Sequence, residues 1–402
     1  MKYDFTSIMD RHNRDAVAVD GIGSGGAAPE KPDPGFDVIP MWVADMNFPT
    51  APSILSALCE RIGHPAFGYF EPTAAYYDAI IRWQEKRHGF TGLQKDFIGY
   101  ENGVLGGVVS ALNVMCSKGD NVLLHAPTYI GFTGVLRNNG YHIVHSPLLR
   151  DGEGVWRMDL KDMEEKILSH KIHVAIFCSP HNPCGRVWER WELEAAYDLF
   201  KKHDVQVVSD EIWSDLIMPG HTHLPSLMVS EDAAMRTVSL YAPSKTFNLA
   251  GLVGSYHIIP NRKLRERILK ESSLCHYNDM NVLSMHALIG AYSEQGEEWL
   301  EELREVLYQN VRYAVDFIRE HFEGVSVFEP EGTYMLFLDC EQWCKKHGRS
   351  LRELERSCWR VGVALQDGAM FNGPYSLRIN LALPQSRVKE AMERLQKYVF
   401  TK

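Results

Sequence analysis

The fold is decided by the stretch HVAIFCSPHNPCG, residues 173–185, in which a short apolar run passes directly into a polar turn. The run is too short for a helix and is rich in β-branched and aromatic residues, so it indicates a strand buried on both faces. Similar runs occur on either side of it, separated by amphipathic segments of helical length. Apolar strands that alternate with helices predict an α/β fold with a buried, mostly parallel sheet and helices on both faces.

Six strands and five helices are predicted in this region of the chain. The strands are expected at residues 121–126, 141–146, 173–179, 205–210, 237–242 and 254–259. The helices are expected at roughly 106–117, 130–139, 159–169, 189–203 and 222–235. A long amphipathic helix over 297–322 follows, and after it come strand candidates at 325–328, 333–340, 363–368 and 375–383 with helices at 349–360 and 385–398. This mixed tail predicts a second, smaller α+β domain.

The composition is that of a globular protein and restricts the classes of function. The chain has 402 residues, and 42 Lys and Arg against 52 Asp and Glu give a net charge of −10, which disfavours nucleic-acid binding. No apolar stretch approaches the ~18 residues of a membrane span, and residues 1–15 lack the apolar core of a secretory signal. The eight cysteines are scattered without a CxxC pair, as is typical of reduced thiols. We therefore expect a cytoplasmic enzyme that binds neither membrane nor nucleic acid.

Three local motifs are weak. Gly21-Ile-Gly-Ser-Gly-Gly26 fits GxGxxG, but the Pro-rich segment after it cannot open the helix that a dinucleotide site requires. His221 and His223 have no third ligand at usable spacing, so no metal site is predicted. Ser244-Lys245-Thr246 lacks the preceding glycines of a phosphate-binding loop.

Polar residues follow three strands of the predicted sheet and give the strongest signal. Asn182 follows the strand at 173–179, Asp210 ends the strand at 205–210, and Lys245 follows the strand at 237–242. Ligands of such sheets bind beyond the carboxyl ends of the strands, where these three side chains are expected to meet. An amide, a carboxylate and an amine at one sheet edge suit a cationic heteroaromatic ring that carries an aldehyde.

The segments SPHNPCG, SDEIW and APSKTFNLAGL together resemble the fold-type-I, aspartate-aminotransferase-like family of pyridoxal 5′-phosphate (PLP) enzymes. Met41-Trp-Val-Ala-Asp-Met-Asn-Phe48 is similar to the WVADMDF signature of the MalY/PatB-type cystathionine β-lyase (cysteine–sulfur lyase) branch. The resemblance covers essentially the whole chain. It implies a large αβα domain that carries PLP, and a small α+β domain that closes over the substrate.

The resemblance assigns roles around the cofactor ring. Lys245 would bind PLP covalently through its aldehyde and later act as acid and base at the substrate Cα. Asp210 would keep the pyridine nitrogen protonated, which makes the ring an electron sink. Asn182 would donate a hydrogen bond to the phenolic oxygen, and Tyr129 would stack on the ring. Trp213 stands where relatives carry the Tyr or His that contacts this oxygen.

The resemblance also assigns the residues that bind phosphate and substrate. Gly103 and Val104 open a helix whose first N–H groups suit the phosphate, and Ser244 would add a hydroxyl. Tyr69 would reach the phosphate across a homodimer interface. The substrate α-carboxylate would be bound by Arg378, which offers a bidentate fork, with Ala44 and Asn182 as the other substrate-binding residues.

Four residues depart from the family pattern. Trp213 can donate but not accept a hydrogen bond, and Ile130 follows Tyr129 where many lyases have a second tyrosine. Asn47 replaces the last Asp of the signature. Val253 occupies the position of the phosphate-binding arginine of most aminotransferases, and this favours the lyase branch.

The sequence thus predicts a PLP-dependent lyase that converts an L-cysteine S-conjugate into a thiol, pyruvate and ammonia. We expect the large domain at 50–290 and the small domain at 1–49 and 291–402. Transamination and racemisation begin with loss of the same Cα proton, so an aminotransferase and a racemase are the alternatives. A regulatory, partner-binding protein is a third reading. It is disfavoured because fused regulators of this fold carry a basic DNA-binding domain, whereas this chain is expected to begin within the enzyme body.

Overall fold

The computed structural model describes residues 1–275 and 277–401, without the side chain of Cys275. Its helices are α1 Val17–Asp20, α2 Pro52–Gly63, α3 Ala74–His88, α4 Val104–Met115, α5 Ile130–Asn138, α6 Leu160–Ser169, α7 Arg190–Lys202, α8 Glu231–Arg236, α9 Arg262–Cys275, α10 Val282–Ala291, α11 Glu294–His321, α12 Glu341–His347, α13 Leu351–Arg360 and α14 Gln385–Tyr398. Its strands are β1 Ile39–Pro40, β2 Ile98–Glu101, β3 Asn121–Ala126, β4 His142–Pro147, β5 Leu149–Arg150, β6 Trp156–Arg157, β7 Val174–Cys178, β8 Gln206–Asp210, β9 Thr237–Tyr241, β10 Ser255–Ile258, β11 Ser326–Val327, β12 Met335–Asp339, β13 Val363–Ala364, β14 Gln366–Asp367 and β15 Ser376–Asn380.

The described chain forms two compact units. The large unit comprises Thr50–His181 and Arg186–Leu300, and the small unit comprises Met1–Pro49, Asn182–Gly185 and Glu301–Lys402. The unit boundary thus lies inside α11, whereas the sequence-based domains were divided at 290. A second difference is that the turn at 182–185 groups with the small unit, because Gly185 accepts backbone hydrogen bonds from Glu331 and Gly332 there.

A seven-stranded sheet forms the centre of the large unit, in the order β2-β10-β9-β8-β7-β3-β4. The strands from β9 to β4 are parallel, and only β10 runs antiparallel to its neighbours. Strands β7 and β9 are buried along their whole length, as continuous apolar strands require when helices cover both faces. The predicted mostly parallel sheet is confirmed.

The register of this sheet aligns the strand ends that the sequence singled out. Cys178 of β7 lies opposite Asp210 of β8, and Asp210 lies opposite Leu240 of β9. The segments that leave β7, β8 and β9 therefore start at one edge of the sheet, in the position where this class of fold binds ligands.

The small unit contains a four-stranded antiparallel sheet in the order β11-β12-β15-β14. Arg378 lies in the middle of β15, opposite Phe337 of β12 and Gln366 of β14. Helix α13 begins with a capping box, in which Ser350 and Glu353 satisfy each other's backbone N–H groups. Helix α14 follows the sheet at the predicted residues.

Two sequence predictions are wrong in detail. The helix expected at 222–235 is confined to α8 and a 3₁₀ turn at Ser226–Met228, because Pro225 cannot donate a helical hydrogen bond and Ser230 starts a new helix by capping Ala233. The single strand expected at 363–368 is split: Val363–Ala364 pairs with β1, and Gln366–Asp367 pairs with β15. Periodicity alone cannot show that one apolar run serves two sheets.

Two further findings concern the chain as described. None of the described helices combines the length and apolar character that crossing a membrane requires. Among the cysteines whose side chains are described, none is joined in a disulfide; the side chain of Cys275 lies outside the described residues.

Candidate active site

Asp210 ends β8 as a buried carboxylate, with 4% of its surface exposed. Its Oδ1 accepts a hydrogen bond from the N–H of Ile212 at 3.1 Å. Burial raises the pKa of Asp210 to about 7, against the lowering effects of that hydrogen bond and of the charge of Lys245. A cationic partner at this carboxylate would offset the cost of burying its charge.

Lys245 lies in the turn that follows β9 and is half-buried. Its Nζ is 5.8 Å from the ring centroid of the buried Trp213. The indole therefore offers its face to the amine in a cation–π arrangement. This contact uses the face of the Trp213 ring, so it does not require the hydrogen-bond acceptor that Tyr or His would supply at this position.

Asp215 connects the turn that carries Lys245 to Trp83 and His88 of α3. The hydroxyl of Thr246 donates to Asp215 Oδ2 at 3.1 Å, and the indole N–H of Trp83 donates to Oδ1 at the same distance. His88 Nε2 lies 3.2 Å from Asp215 Oδ1. Although burial opposes it, contact with His88 lowers the pKa of Asp215. A charged, buried acceptor thus holds the residue directly after Lys245.

Glu211 directly follows Asp210 and forms a second buried polar cluster. Its carboxylate accepts hydrogen bonds from the hydroxyls of Ser209, Ser239 and Tyr241, and lies 2.8 Å from His223 Nε2. His223 is therefore the partner of a carboxylate rather than one of a histidine pair that binds metal. Sequence reasoning missed this cluster; the polar residues inside the buried strands β8 and β9 were the available signal.

Tyr129 immediately precedes α5 with an extended backbone, and its ring packs edge-on against Phe132 with the centroids 5.4 Å apart. Gly131 makes room for this ring, because a Cβ atom there would lie 2.4 Å from Cε1 of Tyr129. The position of the aromatic ring that was predicted to stack on the cofactor thus depends on a glycine two residues later.

The start of α4 has the features of an anion-binding site. Gly103 immediately precedes the helix with φ at +78°, a left-handed conformation that glycine adopts without strain, and the helix begins at Val104. Within the described residues no side chain caps this end, so its first N–H groups remain available to an anion. Val253 approaches it, with Cγ1 3.8 Å from where a Cβ of Gly103 would lie. Ser244 belongs to the same unit and is half-buried in the turn after β9.

The small unit holds Arg378 and Asn182 together. Arg378 is buried, its Nη1 donates to Asn182 Oδ1 at 3.4 Å, and its Nη2 donates to the carbonyl of Trp42 at 3.0 Å and to Gln366 Oε1. The guanidinium also lies over the ring of Phe371, 4.4 Å from the centroid. These three acceptors are neutral oxygens that fix the orientation of the guanidinium, whose planar fork matches the geometry of a carboxylate.

Asn47 has a structural explanation within the small unit. Its Oδ1 accepts from Arg11 Nη1 at 2.9 Å, and its Nδ2 donates to the carbonyl of Pro40 at 3.4 Å. An aspartate at this position would keep the first contact and lose the second. Arg11 already pairs with Asp45 at 2.5 Å, so an amide is sufficient here.

Tyr69 lies in an exposed segment of the large unit, residues 64–69, and is itself fully exposed. Arg61 braces this segment by donating to the carbonyls of His64 and Ala66, and its guanidinium lies over the ring of Phe67. The large unit therefore brings Asp210, Lys245 and Trp213 into its interior and leaves Tyr69 at its surface.

The donor set fits PLP. Its pyridinium nitrogen would place a cation at the buried carboxylate of Asp210, its phosphate matches the uncapped start of α4, and its aldehyde matches the amine of Lys245. The three features lie in the large unit on β8, on α4 and after β9. We find no comparable set for a metal ion among the described residues.

The sequence matches the family described as Aminotransferase class I and II over residues 37–395, and the chain belongs to this family. The predicted fold type and the resemblance on which it rested are thereby confirmed.

Among known proteins, the chain is 34% identical to cystathionine β-lyase PatB of Bacillus subtilis (strain 168), over 90% of this chain and 92% of PatB. Among solved structures, a PLP-bound C–S lyase from Staphylococcus hominis is 30% identical, with a TM-score of 0.88 and 99% of both chains covered. A PLP-bound putative aminotransferase from Clostridium difficile 630 is 33% identical, with a TM-score of 0.91, over 99% of this chain and 100% of that one.

Proposed function

We propose that the protein is a PLP-dependent carbon–sulfur β-lyase of amino-acid metabolism, which acts on L-cysteine S-conjugates such as cystathionine. The observation that carries the proposal is the buried Asp210, held in the same unit as Lys245 and the uncapped start of α4. The likeness to PatB and to the C–S lyase over almost the whole chain supports elimination as the reaction.

With cystathionine the reaction consumes one water molecule and yields homocysteine, pyruvate and ammonia. The Cβ–S bond breaks, sulfur leaves with the bonding electrons, and a proton must reach that sulfur. When bound, PLP supplies an electron sink for the charge that remains at Cα after proton loss. The protein has to remove the Cα proton, protonate the sulfur and hold the substrate still.

Lys245 is proposed to remove the Cα proton at its Nζ and to be one donor for the departing sulfur. Acid–base catalysis needs the group within hydrogen-bonding reach of the reacting atom, so the position of the turn matters. The hydrogen bond from Thr246 to Asp215 supports this role because it holds the residue next to Lys245. Asp210 is proposed to hold the proton on the ring nitrogen.

The remaining residues are proposed to bind and orient. Arg378 and Asn182, with Ala44, would hold the substrate α-carboxylate, and Tyr129 would cover one face of the cofactor. The phosphate would be bound by the first N–H groups of α4, which begins at Val104 directly after Gly103, with Ser244; the N–H of Gly103 itself donates to the carbonyl of Glu101.

We further propose that the enzyme is a cytoplasmic homodimer in which Tyr69 of each subunit reaches the phosphate of the other. The full exposure of this tyrosine, on a segment braced by Arg61, supports a contact with a second copy. A phenol that donates to a phosphate is buried by such a contact and would tie cofactor retention to dimerisation.

Transamination is the second candidate function. It is favoured by the likeness to the putative aminotransferase from Clostridium difficile 630, which is as similar to this chain as the lyases are. Both reactions need the Cα proton removed, and they differ in where the next proton is placed.

The test incubates the PLP-loaded enzyme with L-cystathionine, L-cysteine or L-alanine, with and without α-ketoglutarate. Pyruvate, thiol, glutamate and the D-isomer of each substrate are measured in parallel. The proposal predicts equal amounts of thiol and pyruvate from cystathionine without a keto acid. Glutamate formation that depends on α-ketoglutarate, with negligible pyruvate, would assign the protein to the aminotransferases; racemised substrate alone would make it a racemase.

A further inference from the structure

Four successive backbone carbonyls in the small unit, from Trp42 to Asp45, each accept a hydrogen bond from a side chain of the β12–β15 region. Arg378 donates to the carbonyl of Trp42 at 3.0 Å, and Asn380 donates to those of Val43 and Asp45 at 2.7 and 2.6 Å. Tyr334 donates to the carbonyl of Ala44 at 3.1 Å. The segment bends without forming a helix or strand, so these side chains determine its shape.

Both the nitrogen and the oxygen of the Asn380 side-chain amide form hydrogen bonds, and those of the nitrogen fix this segment. The residue is completely buried at the end of β15, and the two hydrogens of Nδ2 bridge carbonyls two residues apart. Its Oδ1 accepts from the N–H of Ala382 at 2.7 Å, so both ends of the amide are satisfied. Aspartate has the same shape but would present an acceptor to two carbonyls.

Tyr334 is held in place by a strained residue. Thr333 is completely buried and has φ at +71°, a left-handed conformation that β-branched residues rarely adopt. Its hydroxyl accepts from the N–H of Met335 at 3.1 Å, which ties the strained residue to the first residue of β12. Strain persists only where the surroundings enforce it, and here it places the buried Tyr334 hydroxyl on the carbonyl of Ala44.

We propose that Tyr334 and Asn380 are positioning residues for the substrate α-carboxylate. They fix the bend at Trp42–Asp45, and the bend in turn presents the Trp42 carbonyl that anchors Nη2 of Arg378. Loss of either contact relaxes the bend and lets the guanidinium turn away from the orientation that binds a carboxylate with two parallel hydrogen bonds. This inference rests on the proposed function only in requiring that Arg378 bind an amino-acid carboxylate.

The test is the PLP-loaded Tyr334→Phe enzyme with S-methyl-L-cysteine and with its methyl ester, which lacks the carboxylate. One neutral hydrogen bond predicts a rise of about 3- to 10-fold in KM for the acid, with kcat within about 2-fold of wild type. The ester should show the same kcat/KM with both enzymes. Tyr308→Phe, also in the small unit, is the matched control and should behave as wild type.

Equal losses for acid and ester, or an unchanged KM for the acid, would overturn the proposal, because a general loss of structure affects both substrates alike. Equilibrium binding of L-alanine, followed by the cofactor absorbance, must weaken by the same factor as KM rises. That titration needs no elimination, so it separates failure of this inference from failure of the lyase proposal. Asn380→Asp should weaken L-alanine binding further than Tyr334→Phe, and tighter binding than in Tyr334→Phe would contradict the role of its amide.

Discussion

Replacement of Asp210 by Asn is expected to stabilise the apoprotein at pH 8 while it removes most of the activity. The carboxylate lies in the interior, where burial raises its pKa from 3.8 to about 7. The charge thus opposes folding of the polypeptide alone, although the proposed contact with the ring nitrogen of PLP requires it. Asn keeps the shape and removes the charge.

The size of the effect follows from the pKa. A shift from 3.8 to about 7 corresponds, at about 1.4 kcal/mol for each pH unit, to about 4 kcal/mol as an upper value. Because the folded-state pKa is the higher one, the folded protein holds an extra proton between these two values. The free energy of unfolding therefore falls as pH rises from about 4 to about 7, and is level above that window. The amide in the Asp210→Asn variant takes up no proton, so the variant lacks this contribution.

The assay is urea unfolding of the apoproteins at pH 5 and pH 8, for wild type, Asp210→Asn and the surface control Asp198→Asn. We expect Asp210→Asn to gain stability over wild type by about 2–3 kcal/mol more at pH 8 than at pH 5, since about two pH units of the window lie between them, and Asp198→Asn to follow wild type. The same variant should lose about 10³-fold in kcat, as is typical for removal of a preorganised charge partner. An equal change in stability at both pH values would refute the buried-charge reasoning.

Three further changes test other parts of the site. Lys245→Ala should abolish turnover, and borohydride should fix the pyridoxyl group of wild type on Lys245, so a label found by peptide mass spectrometry on another lysine would contradict the assignment. Gly131→Ala should displace the Tyr129 ring, because the new Cβ would lie 2.4 Å from Cε1 of that ring. The affinity for PLP, measured by fluorescence titration, should then weaken about 3- to 10-fold because stacking is lost. An unchanged affinity would count against the proposed stacking of Tyr129. Tyr69→Phe should speed PLP loss on dialysis without lowering the melting temperature, and light scattering of wild type should give twice the mass of one chain; a fully active monomer would argue against a shared site.

The positions of the candidate cofactor residues in the sheet could be predicted from the sequence, because these positions depend on local patterns. Apolar runs of strand length fix where β7, β8 and β9 end, and parallel strands bring those ends to one edge. The placement of Asp210 and Lys245 at strand ends therefore followed from the order of residues, whereas their proposed roles, and the choice of Gly103, came from the family resemblance.

The rest depends on contacts between distant segments, which no local pattern contains. The bond between Thr246 and Asp215 joins residues 31 positions apart, and the capture of the Ala44 carbonyl by Tyr334 joins residues 290 positions apart. The split of residues 363–368 between two sheets is of the same kind, because each half has its own partner strand. The helix expected at 222–235 was wrong for a local reason. The prediction followed the apolar periodicity and gave too little weight to Pro225, which interrupts the helix.

The most direct test of the central claim measures thiol and pyruvate together from L-cystathionine, with wild type and Lys245→Ala, in the absence of any keto acid. The account predicts one pyruvate for each homocysteine with wild type, and at least a ~10²-fold lower rate with Lys245→Ala, since the acid–base group is missing. Release of thiol and pyruvate at the wild-type rate by Lys245→Ala, or no pyruvate from a wild type that still transfers amino groups to α-ketoglutarate, would contradict it.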